Sequence, residues 1–154
     1  MQVSGLDALK RVIEKESNDG RALIEDLADN PICTVSRDDS VPCLFVQWKG
    51  YATSAQIRFI HERLIGLIER HRVCKVLGDD TALVAVSSED QDWIIGDWFP
   101  RAIAAGLRFA ASKRPRGYYG RASVNRIQAV ISAKFRIKSF DNLADARAWL
   151  CDPR

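Results

Sequence analysis

The feature that most restricts this chain is a change of period at Pro31. Beyond it, short runs rich in β-branched and aromatic residues alternate with segments whose apolar residues recur every three or four positions. Residues 32–36 and 42–48 read as two strands, joined through the polar turn Arg37-Asp38-Asp39-Ser40 and closed by Gly50. Thr53-Ser54-Ala55-Gln56 is a capping box, and the helix behind it has Ile57, Ile60, Leu64, Leu67 and Ile68 on one face and Arg70-His71-Arg72 at its carboxyl end. A strand over 73–77 ends at Gly78-Asp79-Asp80. Ser88-Glu89-Asp90-Gln91 then reads as a second capping box, opening a helix that carries Trp93, Ile94, Trp98, Ile103 and Ala104. Pro100 has to kink that helix or begin a new one, because it lacks the N–H and its ring crowds the preceding turn. Gly106 closes it, and 107–111 is the next strand. A helix with Val124, Ile127, Val130 and Ile131 on one side, an alternating edge strand over 135–140, and a last helix capped by Asn142 complete the order.

Strands separated by helices imply right-handed parallel crossovers, while the opening hairpin adds an antiparallel edge. The expected fold is therefore α/β: a mixed five-stranded sheet with an N-terminal antiparallel hairpin and parallel βαβ crossovers, covered by helices. Before Pro31, Leu6, Leu9, Val12 and Ile13, and then Leu23, Ile24 and Leu27, recur at helical spacing around the Ser17-Asn18-Asp19-Gly20 break. Two units follow: a helical extension over 1–30, whose short helices must dock on the body or on a partner, and an α/β domain over 31–154.

The 154 residues suit one domain, and 47% apolar content excludes wholesale disorder. No apolar run approaches the roughly 18 residues of a membrane span, and the opening residues lack a secretory signal's apolar stretch. A cytoplasmic protein with no membrane partner is expected. Cys33, Cys43, Cys74 and Cys151 form no close pair, and His61 and His71 lie ten positions apart, two to three turns of one helix. Free, buried or partly buried thiols are expected, with no metal and no cofactor. The net charge of +3 conceals an asymmetry: residues 1–100 carry a balance of −6 and residues 101–154 one of +9. No basic run is dense enough to read as a nucleic-acid arm, so the halves are expected to neutralise one another within the fold or between two copies.

The element order, with Ser87-Ser88-Glu89-Asp90-Gln91-Asp92-Trp93, Trp98-Phe99-Pro100-Arg101 and Ala105-Gly106-Leu107, resembles the bacterial SpoIIAA-like, or STAS-related, single-domain proteins over roughly residues 31 to 151. The resemblance implies a mixed sheet flanked by helices, no catalysis, and a role in protein–protein regulation or small-ligand binding. The anti-sigma-factor antagonists of that family carry a phosphorylatable serine in an Asp-Ser-Ser/Thr-Gly word after the third strand. Here the place reads Gly78-Asp79-Asp80-Thr81-Ala82-Leu83. Thr81 is the residue that would carry a phosphoryl group, but the glycine that should follow is absent, and no phosphoswitch is expected.

Of the chemistry-bearing residues, the acidic group Asp79, Asp80, Glu89, Asp90 and Asp92 fits acid–base or cation chemistry in principle. Turn and helix-dipole roles account for it more simply, with Ser87 and Ser88 as caps, and no enzyme is expected. The loop 113–121 is the leading site. Arg114, Arg116 and Arg121 offer planar donors, Gly117 and Gly120 let backbone approach a ligand, and Tyr118 or Tyr119 stands alongside a helix start. It is expected to meet an anion or a protein partner. The main expectation is thus a non-enzymatic regulatory or protein-interaction module, with its N-terminal helices as the candidate self-association element, the alternative being a small-anion or nucleotide binder using that loop. Trp48, Trp93, Trp98 and Trp149 are expected in the core, with Trp98 singled out because the helix must bend beside it.

Overall fold

The computed structural model describes residues 12–14, 24–26 and 32–153. Two strands, β3 (Cys33–Asp38) and β4 (Cys43–Trp48), form the expected hairpin, with Cys33 opposite Trp48 and Asp38 opposite Cys43. Three more, β5 (Lys75–Asp79), β6 (Phe109–Lys113) and β7 (Arg136–Phe140), add in parallel, each beside its predecessor. Strands in chain order and parallel, joined by right-handed crossovers, leave all the intervening helices on one face. These are α1 (Ser54–His71), the consecutive α2 (Ser88–Trp93) and α3 (Phe99–Ala105), and α4 (Tyr118–Ile131). The last helix, α5 (Leu143–Cys151), covers the opposite face.

Strand side chains divide accordingly. Leu44, Val46, Trp48, Val76, Ala110 and Ile137 meet the helical layer, while Cys43, Phe45, Leu77, Phe109, Ala111 and Phe140 meet α5. Period-two alternation sends neighbours to opposite faces, so a strand buried on both sides reads as a continuous apolar run. That is why residues 43–46 are Cys-Leu-Phe-Val. The strands β5 and β6 lie two residues later than the expected 73–77 and 107–111. Val73 and Leu107 are buried lead-in residues, and the Cys74 carbonyl already accepts from Arg108 and Phe109 N–H. A slip of two preserves every side chain's face.

Two elements depart from expectation. Residues Val12–Glu14 (β1) and Ile24–Asp26 (β2) are antiparallel strands rather than helix, with β2 pairing β3 through Ile24 and Val35. Pairing of β2 with the backbone edge of β3, and of β1 with β2, outweighs the helical spacing of their apolar residues. Leu6, Leu9, Leu23 and Leu27, the rest of the expected helical extension, lie outside the described residues. On α4, Val130 is exposed and Ile131 is buried, and before Gly106 the buried alanine is Ala102, not Ala104.

Caps follow the sequence closely. Thr53 and Gln56 form the reciprocal box, with Gln56 N–H donating to Thr53 Oγ1 at 3.2 Å and Thr53 N–H to Gln56 Oε1 at 2.9 Å. The second cap is Ser87, one residue earlier than the expected box, accepting from Asp90 N–H at 3.1 Å. Asn142 accepts from Asp145 N–H at 2.8 Å. At Pro100 a new helix begins, the second of the two expected outcomes: Ile94–Trp98 form one π turn, with Phe99 N–H reaching Ile94 O, and α3 starts with Pro100 in its first turn. Among the described residues no helix is long and apolar enough to cross a membrane.

Candidate functional site

Between the sheet and its helical layer lies a cavity of about 150 Å³. Its floor comes from two rows of register partners, Val76, Ala110 and Ile137 in one and Val46, Gly78 and Ser112 in the next. Gly78, Ala110 and Ser112 are small where a Leu would fill the space, so helices held at their normal distance leave a void above them. The walls are Ile57, His61 and Leu64 of α1, Ile94, Trp98 and Phe99 around the π turn, and Val124, Ile127 and Gln128 of α4. No lysine or arginine lines it among the described residues.

One carboxyl group opens into this apolar space. Asp79 and Asp80 are adjacent in sequence and face different surroundings. Asp79 accepts from Gln47 Nε2 at 3.0 Å, from Thr81 N–H at 3.1 Å and from Thr81 Oγ1 at 2.6 Å. Burial alone would raise its pKa, but these bonds hold it below the ordinary carboxylate value. Asp80 instead lies over Gly78: a Cβ on that glycine would stand 3.3 Å from Asp80 Oδ1. The bare backbone of Gly78 thus makes room for the carboxyl, which has no hydrogen-bond partner among the described residues. Burial first, and then the charge of Asp79, push its pKa up to about 7.

His61 and Ser112 complete the polar rim. His61 Nδ1–H donates to the Ile57 carbonyl at 2.8 Å, which leaves Nε2 as the acceptor nitrogen. Burial lowers its pKa to about 4 against the smaller opposing effect of that bond, so the ring is neutral. It stacks on Trp48 with centroids 6.0 Å apart and meets the edge of Trp98 at 4.9 Å, and Trp98 Nε1 donates to the His61 carbonyl at 2.6 Å. On the far side, Ser139 donates to Gln128 Oε1, so the 3.1 Å contact between Ser112 and Ser139 has Ser112 as donor. Gln128 also lines a shallow outer cleft with Arg114, Asn125 and Ser139, which makes it the partition between the cavity and solvent.

The loop 113–121 is organised differently from a convergent anion cradle. Arg114 pairs with Asp141 at 2.8 Å, and Arg121 Nε donates to the Pro115 carbonyl at 2.8 Å. Arg116 anchors through its backbone N–H on Thr81 O at 3.0 Å and has an exposed side chain. Gly117 is the N-terminal flank of α4, and Tyr118 and Tyr119 are 80% and 72% exposed, edge to face with one another. Gly120 is buried, and a Cβ there would stand 2.4 Å from Leu83 O and 2.8 Å from Pro115 Cβ. Its lack of a side chain serves packing of α4 against the loop after β5. Thr81 spends its hydroxyl on Asp79, so a phosphoryl group there would break this bond and face a carboxylate.

The remaining acids serve the frame. Asp90 is 1% exposed and accepts from Ser54 Oγ at 2.7 Å and Arg58 Nε at 2.9 Å, tying α1 to α2. Asp92 pairs with Arg126 at 2.6 Å, which links α2 to α4. Cys33 and Cys43 are buried, Cys74 is half-buried, and Cys151 is exposed, beyond the expectation for it. Trp48 and Trp98 are core residues as expected, and both also line the cavity. In sequence Asp80 belongs to an acidic group weighed for acid–base or cation chemistry and better explained by turns and helix dipoles, His61 figures only as a metal candidate, and Ala110 and Ser112 figure in no functional motif. The available signal was small residues at inward positions of two consecutive central strands. Among protein-family models none matches the chain, and no curated protein matches it.

Proposed function

We propose that this chain is a non-enzymatic binding module of the SpoIIAA-like kind whose recognition site is its interior cavity, occupied by a small, mainly apolar molecule. The cavity itself carries this reading. Close packing normally leaves few voids larger than water, and a mainly apolar space of roughly 150 Å³ is enough for a benzene-sized molecule. A mixed sheet flanked by helices agrees with what the sequence resemblance implies. Asp90 and Asp92 of α2 are engaged in structural bonds, which favours binding over catalysis. The regulatory half of the reading rests on the exposed Tyr118 and Tyr119, where a protein partner would sense the state of the module.

Anion binding by the loop 113–121 is the weaker alternative, since Arg114 and Arg121 are already committed to Asp141 and Pro115. Toluene titration tests the cavity directly, read by the fluorescence of Trp48 and Trp98 and by thermal stabilisation. Saturable binding is expected, and Ala110→Leu, which fills the floor, should abolish it while the far-ultraviolet dichroism is retained. Absence of any saturable effect in the parent protein overturns the reading.

A further inference from the structure

Three lining residues each hold an acceptor that no described group satisfies: the Asp80 carboxyl, Ser112 Oγ, whose proton goes to Ser139, and His61 Nε2, whose ring N–H goes to Ile57. Aromatic faces stand in the same wall, Trp48 leading because Gln47 pairs with Asp79 and places Trp48 and Asp80 one residue further along adjacent strands. Asp80 is half-buried, and a carboxyl facing an apolar cavity with no partner is unfavourable as a carboxylate unless it meets a cation; no lysine or arginine among the described residues lines the cavity. A ligand that brings its own cation on an apolar body satisfies both demands at once, with ring faces adding attraction for the charge.

From this juxtaposition we infer that the cavity is selective for a small primary amine of benzylamine size, its ammonium on Asp80 and Ser112 and its ring against Trp48 and Trp98. This rests on the cavity-binding reading and names its ligand class. The free acid is partly protonated at neutral pH, so binding an ammonium expels that proton. Affinity should therefore rise with pH up to about 7 and level off above it. The other titratable and charged groups around Asp80 are Asp79, held as a carboxylate by its three bonds and the charge of Lys113, neutral His61, and Cys33, whose thiol burial keeps protonated despite Lys49.

Calorimetric titrations of the full chain with benzylamine and with toluene, at pH 6 and pH 8, test the inference. Benzylamine is expected to bind about tenfold or more tighter than toluene at pH 8, a margin of about 1.4 kcal/mol, and to lose most of that margin at pH 6. Toluene affinity should not change with pH. In Asp80→Asn the benzylamine margin and its pH dependence should vanish while toluene still binds. Ser112→Ala should weaken benzylamine alone, and gives a second reading if the Asp80 variant folds poorly. Toluene binding without a benzylamine margin, or a margin that survives Asp80→Asn, overturns the amine inference and leaves the cavity reading standing. Binding of neither probe overturns both.

Discussion

Asp80 and His61 face the same cavity and tilt stability in opposite directions with pH. Asp80, at about 7 in the fold against 3.8 in the open chain, keeps a proton that the unfolded chain has released. Stability from this group is highest below pH 4, falls as pH rises through the window up to about 7, and stays reduced above it. His61, at about 4 against 6.5, refuses a proton that the unfolded chain accepts. Its contribution is complete above pH 6.5 and is lost as pH falls toward 4. Between those limits the two slopes oppose each other. Asp80→Asn should therefore raise stability at pH 8 by about 2 kcal/mol, less than the full shift implies because the carboxyl keeps some access to the cavity, and change little at pH 4. Thermal melts at the two pH values check this, and equal effects at both would show that Asp80 titrates normally. The residue scale also shows what the sequence could convey. The string Gly78-Asp79-Asp80 announces a turn, but only the register across Gln47 and the bare Cα of Gly78 separate a satisfied carboxylate from an unsatisfied one.

At the scale of elements, short polar words fix most boundaries. Thr53 with Gln56, Ser87 and Asn142 cap three helices because each side-chain oxygen takes a backbone N–H that the first turn leaves without a partner. Pro100 marks the junction of α2 and α3 because it lacks a donor, and a π turn absorbs the mismatch. The sequence could not show how α4 approaches the loop after β5. Gly120 was legible as a point of close backbone approach, and the approaching group is Leu83 O of the same chain instead of a ligand. Gly120→Ala should destabilise the fold by about 2–4 kcal/mol, since backbone and a proline ring cannot yield as a flexible side chain would. Urea titration measures this, and a loss below about 0.5 kcal/mol would mean that α4 shifts freely on the loop. The N-terminal strands show the opposite failure. Helical spacing in residues 12–14 and 24–26 gave way to strand pairing, 24–26 on the edge of β3 and 12–14 on 24–26, with partners ten or more positions away that leave no local trace.

At the scale of the whole molecule, the described residues form two unequal cores. One, between the sheet and α1–α4, is large and contains the cavity. The other, under α5, is small and closed by Leu77, Ala146 and Leu150, each 0% exposed. Because the sheet separates them, damage to the second should leave binding in the first intact. Leu150→Ala is expected to lose about 2–5 kcal/mol, read by urea denaturation, with unchanged toluene affinity under conditions where the variant remains folded. An altered affinity would show that the two faces are coupled through the strands. Amino-acid order alone determined the alternation of strands and helices, their caps and the mixed α/β sheet, because period and hydrogen-bonding caps act between residues near in sequence. Tertiary structure alone decided the cavity and the separate fates of Asp79 and Asp80. A void depends on which small side chains from different strands share a row, and a carboxyl's charge depends on what lies across it in space.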